Sequence, residues 1–186
     1  MIRAGILMKI KLLFGEQEKA PLLQDVSSLL YDFELLYNFC LVTSSKEYSG
    51  YKFPQGFWYR KGRGIKDVHK LRASKISKES PLFIELSLVE SIAVLGAAWV
   101  LIQAIEKVYN LRLNRQKTAL EIKKLRLEIA KLEGENSSKE LEQTLRNERN
   151  HTTFRIIAKR LETSSIKLED FEIEIESEDD KKVTFT

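Results

Sequence analysis

The residues of this 186-residue chain that could do chemistry are few, and most of them crowd into one stretch. Between Thr43 and Lys66 stand Tyr48, Tyr51, Phe53, Phe57, Trp58 and Tyr59. Interleaved with them are Lys46, Lys52, Arg60, Lys61, Arg63 and Lys66, opposed only by Glu47. Rings that stack on bases beside cations that meet phosphates are what single-stranded nucleic acid requires. On that reading, Lys52, Trp58, Tyr59, Arg60, Lys61, Arg63 and Lys66 are the contacts, within a basic-aromatic region spanning 46–75. A structural reading competes with it: the rings pin a long loop onto the core and the cations stay solvated. Lys61-Gly-Arg-Gly64 is too short to be a phosphate-cradling loop.

The other reactive types are isolated. His69 lies in a basic run with no Cys, Asp or second His beside it, and His151 falls on a polar helix, so neither has the neighbours of a metal ligand. Cys40 is the one cysteine. It falls on an apolar helix stripe, where a thiol behaves as a small hydrophobe, and no local cation would activate it. Glu172, Glu174 and Glu176 alternate along one strand face. Hard cations want oxygens converging from a turn or from several segments. These carboxylates are therefore expected to be solvated, or to face the basic runs at 9–11 and 70–75 across a sheet. General acid–base work needs a positioned His or carboxylate pair. None is recognisable, so the expectation is a protein that is not an enzyme, with no cofactor, metal or small-molecule substrate.

The elements around these residues follow from periodicity. Met8, Ile10, Leu12 and Phe14 alternate with Lys9 and Lys11, which predicts a half-buried strand ended by Gly15. Pro21 suits a helix start, and Leu22, Val26, Leu29, Leu30, Phe33, Leu36 and Phe39 or Cys40 make an apolar stripe to about Val42, with Asp25, Asp32 and Glu34 off it or at its edge. Val68–Ser77 reads as a basic strand. The run from Pro81 to Leu88 reads as its hairpin partner, with Leu82, Ile84, Leu86 and Leu88 on one face. Ile166–Glu176 alternates most cleanly of all, and Val183–Thr186 is expected to pair back on it.

Between these strands the sequence predicts one very long helix, from about 89 to 133. Ser91–Ile105 holds fifteen consecutive uncharged residues. A membrane span needs about 20, so the run is expected to be a core helix. A single-span anchor over 88–105 is the alternative, aided by the small residues Gly96, Ala97 and Ala98. Beyond Glu106, Val108, Leu111, Ile122, Leu125, Ile129 and Leu132 fall on a 3-4 spacing with Arg115 and Thr118 between, a coiled-coil seam with a polar interruption. Gly134-Glu-Asn-Ser-Ser138 breaks the helix. Leu141, Leu145, Phe154, Ile157 and Leu161 then continue a sparse stripe to about Thr163, which predicts an antiparallel helical hairpin.

The order strand, helix, loop, two strands, helices, strand is an α+β pattern. The expected fold is a small antiparallel or mixed sheet packed by helices, with a long protruding helical hairpin. The expected domains are a globular body from 6–105 plus 164–186 and an inserted arm over 106–163. The net charge of +4 is basic at the front and acidic after residue 135, a split that suits self-association or a polyanionic partner. The lone cysteine and the absence of a convincing signal sequence point to the cytoplasm, with membrane anchoring the alternative. The leading expectation is an interaction or assembly protein. It would form homo-oligomers or dock a protein partner through Val108, Leu111, Ile122, Leu125, Ile129, Leu132, Leu141 and Leu145. The alternatives are nucleic-acid binding through 46–75 and a membrane-anchored protein. No family resemblance carries the reading further.

Overall fold

Three runs of alternating apolar residues and one basic run build the sheet. In the computed structural model, which describes residues 7–15, 21–51, 64–77, 82–89, 92–110, 123, 127 and 141–176, they form β1 (Leu7–Phe14), β2 (Arg72–Ser77), β3 (Phe83–Val89) and β4 (Leu168–Glu176). The helices are α1 (Leu23–Ser44), α2 (Ile92–Tyr109), α3 (Leu141–Leu145) and α4 (Glu148–Glu162), with single 3-10 turns at Lys46–Tyr48 and Asp67–His69. The sheet is wholly antiparallel in the order β2-β3-β1-β4, so the fold is α+β. The segment expected to continue β4 at 183–186 lies outside the described residues.

One face of the sheet is apolar and one is charged. Met8, Ile10, Leu12 and Phe14 are buried beside Ile84, Leu86 and Leu88 and beside Phe171 and Ile173. The helices cover this face, because a sheet with one apolar side must bury it against another layer. On the open face the register sets Lys75, Glu85, Lys11 and Glu172 in one row across the four strands, and Arg72, Ser87, Lys9 and Glu174 in the next. Charge therefore alternates strand by strand in the first row, and neutral Ser87 takes the β3 place in the second. Lys11 is ion-paired with Glu174. The expectation that the β4 carboxylates face the Lys9–Lys11 run is met. They do not face 70–75, because β2 and β4 stand at opposite edges.

A bulge shapes the β2 edge. The register slips between Ala73 and Lys75, and Ser74 is the extra residue. Its hydroxyl donates to the Glu85 carbonyl at 3.1 Å and to Glu85 Oε1 at 2.7 Å. The slip puts Arg72 and Lys75 on the same face although they are an odd number of residues apart. Ala73 and Ile76 consequently share the helix-side face, opposite Leu86 and Ile84. Arg72 to Ile76 are all exposed.

Helix α2 is apolar on nearly every side because it is the central helix. It packs against α1, α3 and α4, and Ala97 through Ile102, Ala104, Ile105 and Val108 are buried. A helix hydrophobic all round is either buried or spans a membrane. Here it is buried, and no helix among the described residues is long and apolar enough to cross a membrane. The anchor alternative over 88–105 gives way to the core helix.

The helix is shorter than its pattern suggests. It ends at Tyr109, and Asn110 takes φ +50°, the left-handed conformation that closes many helices and that Asn tolerates better than other side-chain-bearing residues. The expected unbroken helix to 133 is therefore interrupted, and Val108 belongs to the core cluster. Lys123 and Leu127 are helical and exposed, and the remainder of 111–140 lies outside the described residues. The later part of the expected arm packs on the body. Leu141, Leu145, Phe154, Ile157 and Leu161 all join the core that holds the sheet and α1.

Candidate functional site

Three polar clusters tie the elements of the body together. The first lies where α1 gives way to the basic-aromatic stretch. Thr43 and Ser44 turn their hydroxyls back onto the Phe39 and Cys40 carbonyls, and Ser45 caps the 3-10 turn by accepting from Glu47 N at 3.2 Å. That turn drops Tyr48 inward. Its hydroxyl accepts from Lys66 N at 3.2 Å and sits 2.7 Å from His69 Nδ1. The Tyr48 hydroxyl thus joins Lys66 N and the His69 ring in one buried knot. Tyr37 on α1 donates to the His69 carbonyl at 2.6 Å. Burial pushes the Tyr37 phenol above its ordinary value, and the neighbouring Tyr48 adds to this. Tyr37 is thus a neutral donor at any physiological pH.

Around this knot, Glu47 Oε1 meets Lys66 Nζ at 2.5 Å, and Glu47 Oε2 stands 3.8 Å from His69 Nδ1. The hydrogen bond from Lys66 holds the Glu47 carboxyl below its usual range. Gly64 has φ +92°, and a Cβ placed there would lie 3.2 Å from the Tyr51 ring, so Gly alone suits this turn. Tyr51 and Gly64 bracket residues 52–63 at close range.

The second cluster lies where α2 ends and α3 begins. Gln103 Oε1 accepts from Leu141 N at 2.7 Å, and Lys107 Nζ meets Glu142 Oε1 at 2.6 Å. Lys107 holds the Glu142 carboxyl below its usual range. One turn on, Asn147 caps α4, accepting from Arg149 N at 3.0 Å and Asn150 N at 3.3 Å. Both ends of 111–140 are therefore tied to the last two turns of α2.

The third cluster clamps α4 onto α1. Asp32 is buried, and both Arg160 Nε and a terminal guanidinium nitrogen of Arg160 lie 2.6 Å from its Oδ1. The guanidinium also lies 5.7 Å from the centre of the Tyr31 ring. Burial pushes the Asp32 carboxyl up, and Arg160 only partly opposes this. Tyr109 stacks on Phe33 at 6.3 Å, and its buried hydroxyl has no hydrogen-bond partner among the described residues.

These clusters bind the fold rather than pair a nucleophile with a base. Cys40 is wholly buried, and burial drives its thiol far above its ordinary value, so it carries no thiolate at neutral pH. Among the described residues no group of three or more His, Cys, Asp or Glu could hold a metal ion. What the arrangement fixes is the flanks of two stretches: Tyr51 lies close to Gly64, and Gln103 and Lys107 hold Leu141 and Glu142.

Compared with family models, curated proteins and solved structures, the chain has no match. The reading therefore rests on its own geometry.

The expected site residues divide accordingly. Val108, Leu141 and Leu145 are buried in the body core. Leu111, Ile122, Leu125, Ile129 and Leu132 lie outside the described residues, as do Lys52, Trp58, Tyr59, Arg60, Lys61 and Arg63. Lys66 is exposed but already paired with Glu47. His151 is exposed, as expected, and His69 is buried. Two features went unseen in the sequence. Asp32 is three residues after Leu29 and four before Leu36, so its spacing puts it on the buried side of α1. Arg160 stands likewise beside Ile157 and Leu161. For His69 no periodic signal exists, because a 3-10 turn and not a strand positions it.

Proposed function

We propose that this chain is a non-enzymatic interaction and assembly protein of the cytoplasm. On this reading the 111–140 segment is a helical appendage that docks a second copy or a protein partner. The observation that carries it is the closure of the base of that segment by Lys107–Glu142 and Gln103–Leu141. On this reading a segment whose flanking residues are held together at one place is free to serve as an appendage. Its Ile122, Leu125, Ile129 and Leu132 keep the seam spacing that helix pairing needs. The test is the double substitution Ile122→Glu/Leu125→Glu in the full chain. Light scattering and cross-linking should then show loss of self-association or partner capture, with circular dichroism unchanged. An unchanged mass and an unchanged set of partners would sink the proposal.

A second reading is nucleic-acid binding. It is favoured by the closing of Tyr51 against Gly64 at the base of a stretch holding Lys52, Trp58, Tyr59, Arg60, Lys61 and Arg63. Lys66 contributes least, since Glu47 already neutralises it. Single-stranded RNA and DNA oligonucleotides at low salt supply the test. Binding should weaken as salt rises and disappear in Trp58→Ala. Absence of any shift with either probe would rule it out.

A further inference from the structure

The two edges of the sheet formed by the described residues differ in sign. On the open face, edge strand β2 carries Arg72 and Lys75, brought onto one face by the bulge at Ser74. Edge strand β4 carries Asp170, Glu172 and Glu174 on that same face, opposite Leu13, Lys11 and Lys9. From edge to edge the order is basic β2, acidic β3 through Glu85, basic β1 and acidic β4. Strand direction alternates in step. β2 runs with β1 and therefore against β4. A second copy set beside β4 in the same orientation would present its β2 antiparallel to β4, with its helix layer on the same side.

We propose that the two sheet edges pair with each other between copies, β4 of one chain receiving β2 of the next. The ladder continues in the antiparallel sense, and the alternation of charge continues with it. On the open face Arg72 and Lys75 meet Asp170, Glu172 and Glu174 of the neighbouring copy. On the helix side Ile76, which is 47% exposed, and the exposed Ala73 come beside the row holding Phe171 and Ile173. That placement accounts for a large aliphatic side chain standing open at a basic edge.

The same charges exclude the symmetric alternatives. Pairing β2 with a second β2 sets Arg72 and Lys75 against themselves, and pairing β4 with a second β4 sets carboxylate against carboxylate. Charged side chains and a bulge on an edge strand are devices against indiscriminate sheet extension. Here they leave one acceptable partner, an edge rich in carboxylates, and specificity arises from what is repelled. The contact is head-to-tail, so each added copy again presents β2 at one edge and β4 at the other of the sheet formed by the described residues, and assembly grows unless the rotation closes a ring. The proposal is independent of the 111–140 segment.

Light scattering on the full chain over a wide concentration range, at low and at high salt, tests this. The mass is expected to rise above the 21.6 kDa of one chain with concentration at low salt, and to fall back at high salt. Arg72→Glu/Lys75→Glu is expected to abolish the rise with the circular dichroism spectrum intact. Glu172→Lys/Glu174→Lys is expected to do the same, and mixing the two variants to restore association. A monomer at every concentration in low salt overturns the proposal, as does a closed dimer whose mass ignores concentration. Association that survives Arg72→Glu/Lys75→Glu but is lost in Ile122→Glu/Leu125→Glu also overturns it, and assigns assembly to the 111–140 segment. The wild-type salt series and the β2 variant decide the matter even if the β4 variant fails to fold.

Discussion

Arg160 Nε donates a 2.6 Å hydrogen bond to Asp32 Oδ1, joining α4 to α1 across 128 positions of sequence. The carboxylate is buried and the guanidinium is half in solvent. The pair therefore works as a clamp whose strength depends on the charge of its buried member.

The sign of its pH dependence follows. Burial raises the Asp32 pKa in the folded chain above the ordinary 3.8. Its contribution to stability is complete below that unfolded value and is lost as pH rises through the raised folded value. Arg160→Ala removes the one group that opposes this shift. The substitution should destabilise the protein by about 1–3 kcal/mol at neutral pH, the penalty for a buried polar group left unpaired. The loss should shrink from neutral toward acid pH, as Asp32 takes up a proton. Asp32→Asn should flatten the dependence. Urea unfolding midpoints of the three proteins across this pH range provide the check, and a pH-independent loss in Arg160→Ala would contradict the assignment.

Membership of α4 in the body is open to a direct test. Ile157 and Leu161 are fully buried among the core residues. Ile157→Ala and Leu161→Ala should each lower the unfolding free energy by about 2–5 kcal/mol, the range for truncating a large aliphatic core side chain. Were this helix a projecting arm, both substitutions would leave the urea midpoint where it was.

Asn110 predicts a contrast between two substitutions. At φ +50° Gly is unstrained, so Asn110→Gly should leave stability nearly unchanged. Asn110→Val should cost about 1–2 kcal/mol, the penalty for a side chain with a Cβ in the left-handed region. Equal thermal midpoints for the two variants would show that α2 does not close through this residue.

The Tyr37, Tyr48 and His69 knot should respond unequally to loss of its hydroxyls. Tyr37→Phe strands only the His69 carbonyl, whereas Tyr48→Phe strands both Lys66 N and His69 Nδ1. Each stranded buried group costs about 1–3 kcal/mol. Tyr48→Phe should therefore be the more destabilising in urea titrations, and the reverse order would refute the hydrogen-bond assignment.

How far the chain could be read in advance follows from the range of each signal. Met8, Ile10, Leu12 and Phe14 alternate, and β1 formed where that alternation lies. The same held for α1, β3 and β4 to within about two residues, the usual uncertainty of an element boundary. The fifteen uncharged residues of α2 were legible as a core helix because their length falls short of a membrane span. Asn110 was not legible as its end, since hydrophobic periodicity carries no information about one residue's φ. His69 was placed on a strand because its neighbours are basic, and only the contacts of Tyr48 and Tyr37 from a distant helix and turn drew it inward. Strand order depends on which distant segments meet, and the alternation within each strand is silent on that.

The tie between Lys107 and Glu142 has a consequence for how this chain can change. Chain entropy charges a flexible loop only for the logarithm of its length, so doubling such a segment costs about 0.6 kcal/mol. Lys107–Glu142 and Gln103–Leu141 already fix the distance that the intervening chain has to close. A change in the number of residues between Asn110 and Leu141 should therefore cost the body far less than a change within α2, which packs against three other helices.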